Sequence, residues 1–65
     1  MIPHLLKALK DDPVYGVRFG AAEALAHSPA NMDAFSAELT TLMSSERDPQ
    51  IRELLKFTVD TKTQR

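Results

Sequence analysis

The sequence predicts an all-α fold of four helices, arranged as two antiparallel helix hairpins. Three observations carry that reading. Apolar residues recur at helical spacing in four short segments. Breaks rich in proline, aspartate and serine separate the segments. The second half of the chain repeats the first after a slide of 34 residues. No segment alternates apolar and polar residues with period two over any length, so no sheet is expected.

The first helix follows from Ile2, Leu5, Leu6 and Leu9, spaced to share one face. Pro3 suits its first turn, where a missing N–H costs nothing. Asp11-Asp12-Pro13 breaks the pattern, and Asp12 is expected to cap a second helix beginning at Pro13. Val14, Val17, Ala21, Ala24 and Leu25 form the stripe of that helix, which should run to about His27. Ser28-Pro29-Ala30-Asn31 then reads as a loop, because Pro29 disfavours helix at Ser28.

Asn31 is the expected cap of the third helix, with Met32, Phe35, Leu39, Leu42 and Met43 as its stripe. Asp48-Pro49 repeats the cap-and-proline device of Asp12-Pro13 and opens the fourth helix, which carries Ile51, Leu54, Leu55 and Val59. Thr61 to Arg65 reads as a frayed polar tail. Repeat one thus spans about 1–28, repeat two about 31–60 and the tail 61–65 of a single domain. Short connections make successive helices antiparallel neighbours.

The 34-residue slide pairs Leu5 with Leu39, Leu9 with Met43, Val17 with Ile51, Arg18 with Arg52, Ala21 with Leu55 and Leu25 with Val59. The two Asp-Pro pairs fall slightly out of step, so the second junction is expected to be two residues shorter. Asp12, Val17-Arg18, Ala21 and Leu25 resemble the second helix of a HEAT repeat, and Leu5, Leu6 and Leu9 resemble the first. The closest subtype is the short repeat of phycobilin lyases and many bacterial scaffolds. The match covers about the first 25 residues, and Asp48-Pro49-Gln50-Ile51-Arg52 echoes it.

The resemblance implies that the hairpins stack as a short HEAT-like α-solenoid. It also implies that Asp12, Arg18, Asp48 and Arg52 form a hydrogen-bonded ladder between repeats. A tetratricopeptide repeat has nearly the same period, but its Trp, Leu-Gly and Tyr pattern is missing from the first helix.

The second helix is apolar on two sides. Val14, Val17, Ala21, Ala24 and Leu25 cover one; Tyr15, Phe19, Ala22 and Ala26 lie roughly opposite. Such a helix is buried on two sides, one against its own hairpin and one against a neighbour. Gly16 and Gly20 cost about 1 kcal/mol each relative to alanine and permit close backbone approach. The simple expectation is that the fourth helix covers Tyr15 and Phe19. The alternative leaves part of this surface open to another subunit or a missing repeat. Phe57 falls off the main stripe of its helix and has no evident neighbour.

Composition narrows the function. Sixty-five residues hold one domain with a small core, and with no cysteine there is neither a disulfide nor a thiolate metal site. A net charge of −1 gives no strong field to draw nucleic acid or an anionic membrane. No apolar run approaches membrane-spanning length, and the first residues lack a secretory pattern, so a soluble cytoplasmic protein is the expectation. Pro3-His4-Leu5-Leu6 reads like the inside of a longer array.

His4 and His27 have no partners at zinc-ligand spacing, and the serines lack a nucleophile signature. Asp11 and Asp12 are adjacent and would diverge on a helix, so no catalytic, cofactor or metal residue is assigned. The expected function is a protein-interaction or scaffold module without catalysis, binding another protein or further copies of itself. Tyr15, Arg18, Phe19, Arg52 and Lys56 are the candidate partner contacts. A fragment or subunit of a bilin lyase-like chromophore-handling enzyme is the alternative, resting on the repeat type alone. A nucleic-acid-binding helical domain is the third reading, resting on Gln50, Arg52 and Lys56.

Overall fold

The structure, a computed structural model, describes residues 1–63. Gln64 and Arg65 of the expected tail lie outside the described residues. Four α-helices are present: α1 Ile2–Asp11, α2 Tyr15–His27, α3 Ser36–Ser45 and α4 Pro49–Lys62. A single 3₁₀ turn, Asp33–Phe35, precedes α3. Helix, the 3₁₀ turn included, accounts for 79% of the described residues, and they hold no strand.

Three prolines set helix boundaries through the residue before them, which is pushed to extended backbone. Asp12 sits at φ −78°, ψ 126° and ends α1. Ser28, at φ −69°, ψ 139°, ends α2. Asp48, at φ −77°, ψ 123°, precedes α4, and its carboxylate accepts from the Ile51 amide at 2.8 Å as a true N-cap. Asp12 does not cap α2. Its Oδ1 accepts from the Val14 amide at 2.9 Å, closing a local turn over Pro13; Val14 is extended, so α2 begins at Tyr15.

One register runs through both hairpins. α1 and α3 are ten residues each and begin at Ile2 and Ser36, 34 positions apart. α2 and α4 begin at Tyr15 and Pro49, the same offset. The Asp12 amide donates to the Ala8 carbonyl and the Glu46 amide to that of Leu42, both at 2.9 Å. The second junction is therefore not shorter. The two Asp-Pro pairs are not counterparts: Asp12 corresponds to Glu46, and Asp48 to Val14.

α1 packs on α2 and α3 on α4; α2 also lies against α4, with a lighter contact between α1 and α3. The hairpins therefore sit side by side, in a slab 31 × 21 × 17 Å across. Its smallest dimension matches two layers of helices at about 8–10 Å each. Leu6, Leu9, Ala21, Ala22, Leu25, Leu39, Leu42, Ile51 and Leu55 form the shared core.

α2 is buried on two adjoining strips. Ala21 and Leu25 share the strip toward α1. Ala22 and Ala26 lie about 100° round, on the side whose Arg18 and Tyr15 reach the second hairpin. On α4, Leu55 and Val59 correspond to Ala21 and Leu25 and so face α3. Ile51, Leu54 and Thr58 remain to meet α2. Buried Thr58 costs little, because its hydroxyl donates to the Leu54 carbonyl at 2.8 Å.

Met32 does not belong to the third helix. It lies in the linker, fully buried, and its amide donates at 2.7 Å to the Lys62 carbonyl at the end of α4. Asn31 caps no helix either: its Oδ1 accepts from the Asp33 amide at 2.9 Å, starting the 3₁₀ turn. The linker thus plugs the core and satisfies a terminal carbonyl of α4. α4 also extends beyond the expected end, and Thr63 is buried rather than frayed.

Replacing Met32 with alanine is expected to cost about 2–4 kcal/mol, because a linker already bonded to α4 cannot collapse into the hole. Thermal unfolding followed by circular dichroism should show the midpoint lowered by at least about 10 °C for a domain of this size. An unchanged midpoint would mean that Met32 does not fill the core.

Candidate functional site: the paired turns and the second helices

The turns between α1 and α2 and between α3 and α4 lie next to each other. Arg18 joins them. Its Nε donates to Glu46 Oε1 at 3.3 Å and its Nη2 to Oε2 at 3.4 Å, a two-pronged pair. Its Nη1 reaches back to the carbonyls of Asp12 and Pro13 at 3.4 and 3.3 Å. The pair is poorly solvated, with the side chains 21% and 6% exposed. Glu46 Oε2 also accepts from the Asp48 amide at 3.0 Å, which holds the carboxylate in place for the arginine.

Arg52 repeats half of this arrangement. Its Nη1 donates to the carbonyls of Glu46 and Arg47 at 3.0 and 2.8 Å, the counterparts of Asp12 and Pro13. No carboxylate among the described residues pairs with it. The expected ladder of Asp12, Arg18, Asp48 and Arg52 is thus redrawn. The rung between hairpins is Arg18–Glu46; Asp48 is occupied as a helix cap, and Asp12 and Arg52 stand at opposite ends without an ion-pair partner among the described residues. Sequence reasoning missed Glu46, although its place 34 residues after Asp12 was a signal that could have pointed to it. The repeated Asp-Pro dipeptide drew attention to Asp48 instead.

The remaining candidates lie on α2 and α4. Tyr15 and Phe19 stack, with ring centroids 5.8 Å apart and planes at 25°. The Tyr15 hydroxyl donates to Gln50 Oε1 at 3.1 Å, so α4 does engage this surface. Phe19 is half-buried against the core, while Tyr15 keeps 44% of its surface and Phe57 51%. Lys56 is exposed, and its Nζ donates to Asp60 Oδ2 at 3.0 Å. That hydrogen bond, with the charge of Asp60, raises the Lys56 pKa above its ordinary value. The small stabilisation is present at neutral pH and is lost as pH rises through the raised value.

Two shallow grooves flank the first turn. One, of about 350 Å³, runs between the turns along Leu9, Asp12, Pro13, Arg18, Glu46 and Arg47. The other, of about 340 Å³, lies on the far side of α1 along His4, Lys7, Ala8, Asp11, Asp12 and Pro13. Among the described residues no cluster of His, Asp and Glu is arranged to hold a metal ion. Every buried side-chain nitrogen and oxygen among them has a hydrogen-bond partner.

Alanine in place of Arg18 leaves the enclosed Glu46 carboxylate without a cation and should cost roughly 2–3 kcal/mol, somewhat less than for a fully buried pair. Alanine at Arg52, which holds only carbonyls of its own turn, should cost about 1 kcal/mol or less. A urea-denaturation double-mutant cycle on Arg18 and Glu46 is expected to give a coupling of about 1–3 kcal/mol. Additive single effects would remove the pair from the interface between hairpins.

No protein-family model matches the sequence, and neither a curated protein nor a solved structure matches it.

Proposed function

We propose that this chain is a protein-interaction module of the HEAT-like repeat type, with no catalysis of its own, and that the exposed side of α2 and α4 contacts the partner. The observation that supports this reading most is the aromatic surface of those two helices. Tyr15 and Phe57 remain about half exposed although the chain has few aromatic residues, and Tyr15 is held in place by Phe19 and Gln50. Rigid aromatics bring large contact area at low entropic cost and are enriched at interfaces. The register of 34 residues and the arginine that reaches from one turn to the next are further features expected of stacked repeats.

Within the proposed surface the five named candidates play unequal parts. Arg18 and much of Phe19 are engaged inside the chain. Tyr15, Arg52 and Lys56 remain accessible, joined by Phe57. Arg52 and Lys56 already hold carbonyls and Asp60, which leaves fewer free donors for a phosphate backbone and weakens the nucleic-acid reading.

A photo-crosslinking amino acid at Phe57 or Tyr15 should capture a discrete partner in cells. The same group at Thr41, exposed on α3, should not. Phe57→Glu should leave unfolding unchanged within about 0.5 kcal/mol, since the position is exposed. The same substitution should abolish the adduct formed from position 15. Equal labelling from all three positions would refute the assignment.

A further inference from the structure

The two ends of this molecule are not alike, and the shared register shows how. With Leu55 and Val59 turned to α3 by that register, the residues of α4 left to meet α2 are Ile51 and Thr58, both fully buried, and Leu54, packed against the core. Thirty-four residues earlier stand Val17, Gly20 and Ala24. All three are exposed, Val17 at 44%, and Val14 beside them at 56%. The side of α2 turned away from α4 is thus the equivalent of a buried interface, left without a neighbour. Nothing within 4 Å would meet a Cβ added at Gly16 or Gly20, so no neighbour within the chain requires glycine there. Glycine weakens an exposed helix and leaves room for a second backbone.

The polar half of the interface is present at the same end. Glu46 receives Arg18 from the preceding hairpin. Asp12 is the counterpart of Glu46, with the same bond to the amide two residues on. No cation among the described residues pairs with it. By the shared register, the apolar strip and the unpaired carboxylate belong to the same face, the equivalent of the one that α4 and Glu46 present to the first hairpin.

We propose that this face docks a further helix hairpin, supplied by a partner protein, whose second helix offers an arginine for Asp12 and a strip of one aromatic and two alanines for Val17, Gly20 and Ala24. That is the chemistry with which α2, through Arg18, Phe19, Ala22 and Ala26, receives α4. The inference rests on the interaction reading above and names the class of partner. A second copy of this chain fits poorly. The face it would bring is the far side of α4, where the counterparts of Phe19, Ala22 and Ala26 are Glu53, Lys56 and Asp60, all exposed and charged. Packing them on an apolar strip strips charges of water without new partners.

The test extends the intact chain by duplicating residues 1–34 ahead of residue 1, which places the stated strip where the partner's would lie. The extended chain should unfold in one transition, with its midpoint roughly 10 °C above that of the native chain. Asp12→Asn, which keeps the turn acceptor but removes the charge, and Ala24→Arg are made in the 65-residue portion. Each should lower the midpoint of the extended chain by several degrees and leave that of the native chain in place. Two separate transitions, no rise, or equal effects in both chains would overturn the proposal. So would a native chain that sediments as a dimer and becomes a monomer on Ala24→Arg, because the occupant would then be a second copy. Crosslinking from Phe57 probes the other surface, so the interaction reading stands or falls separately.

Discussion

The guanidinium of Arg18 is the point on which the arrangement of the two hairpins turns. It binds the carbonyls of its own turn and the carboxylate of the next, so the helix carrying it cannot slide against its neighbour without losing both hydrogen bonds to Glu46. Apolar packing alone is permissive about register, since leucine and alanine accept many neighbours. A charge pair with little access to water is not, because either member left alone pays the full desolvation cost. In a chain without disulfides and with a small core, that constraint fixes which residues of the second hairpin meet the first.

The second consequence is the contrast between α2 and α4. They occupy equivalent places, yet α2 is apolar around most of its circumference and α4 is apolar on one side only. α2 receives α4 on one flank and leaves small residues open on the other. α4 buries Ile51 and Thr58, half-buries Leu54 and turns Glu53, Lys56 and Asp60 outward. A charged outer flank is what ends a stack of repeats, and the small apolar flank beside Asp12 is where we propose that a further hairpin docks. Tyr15, stacked on Phe19, and Phe57 stay about half exposed and are the separate place where we propose that a partner is recognised.

Much of the fold was legible before any coordinates. Helical spacing located all four helices, and Pro13, Pro29 and Pro49 marked the breaks because each excludes helix from the residue before it. What misled was local chemistry read without its surroundings. Asp12-Pro13 looks like a capped helix start, but the side chain turned to Val14 and α2 began two residues later. Met32 keeps helical spacing with Phe35 and Leu39, yet it is a linker residue drawn into the core by a bond to the far end of α4. Of the candidate site, the arginines and aromatics were recognisable by type. The role of Glu46 was not, because it depends on a turn 28 residues away.

The sequence by itself determined helix content, the approximate breaks and the 34-residue period, because these depend on backbone preferences and side-chain spacing within a turn or two. Only the tertiary structure decided which carboxylate pairs with Arg18, which flank of α2 is covered and which aromatics stay in water. Those outcomes depend on contacts between residues far apart in the chain, where the desolvation of a charge and the volume of a side chain matter and local propensity does not.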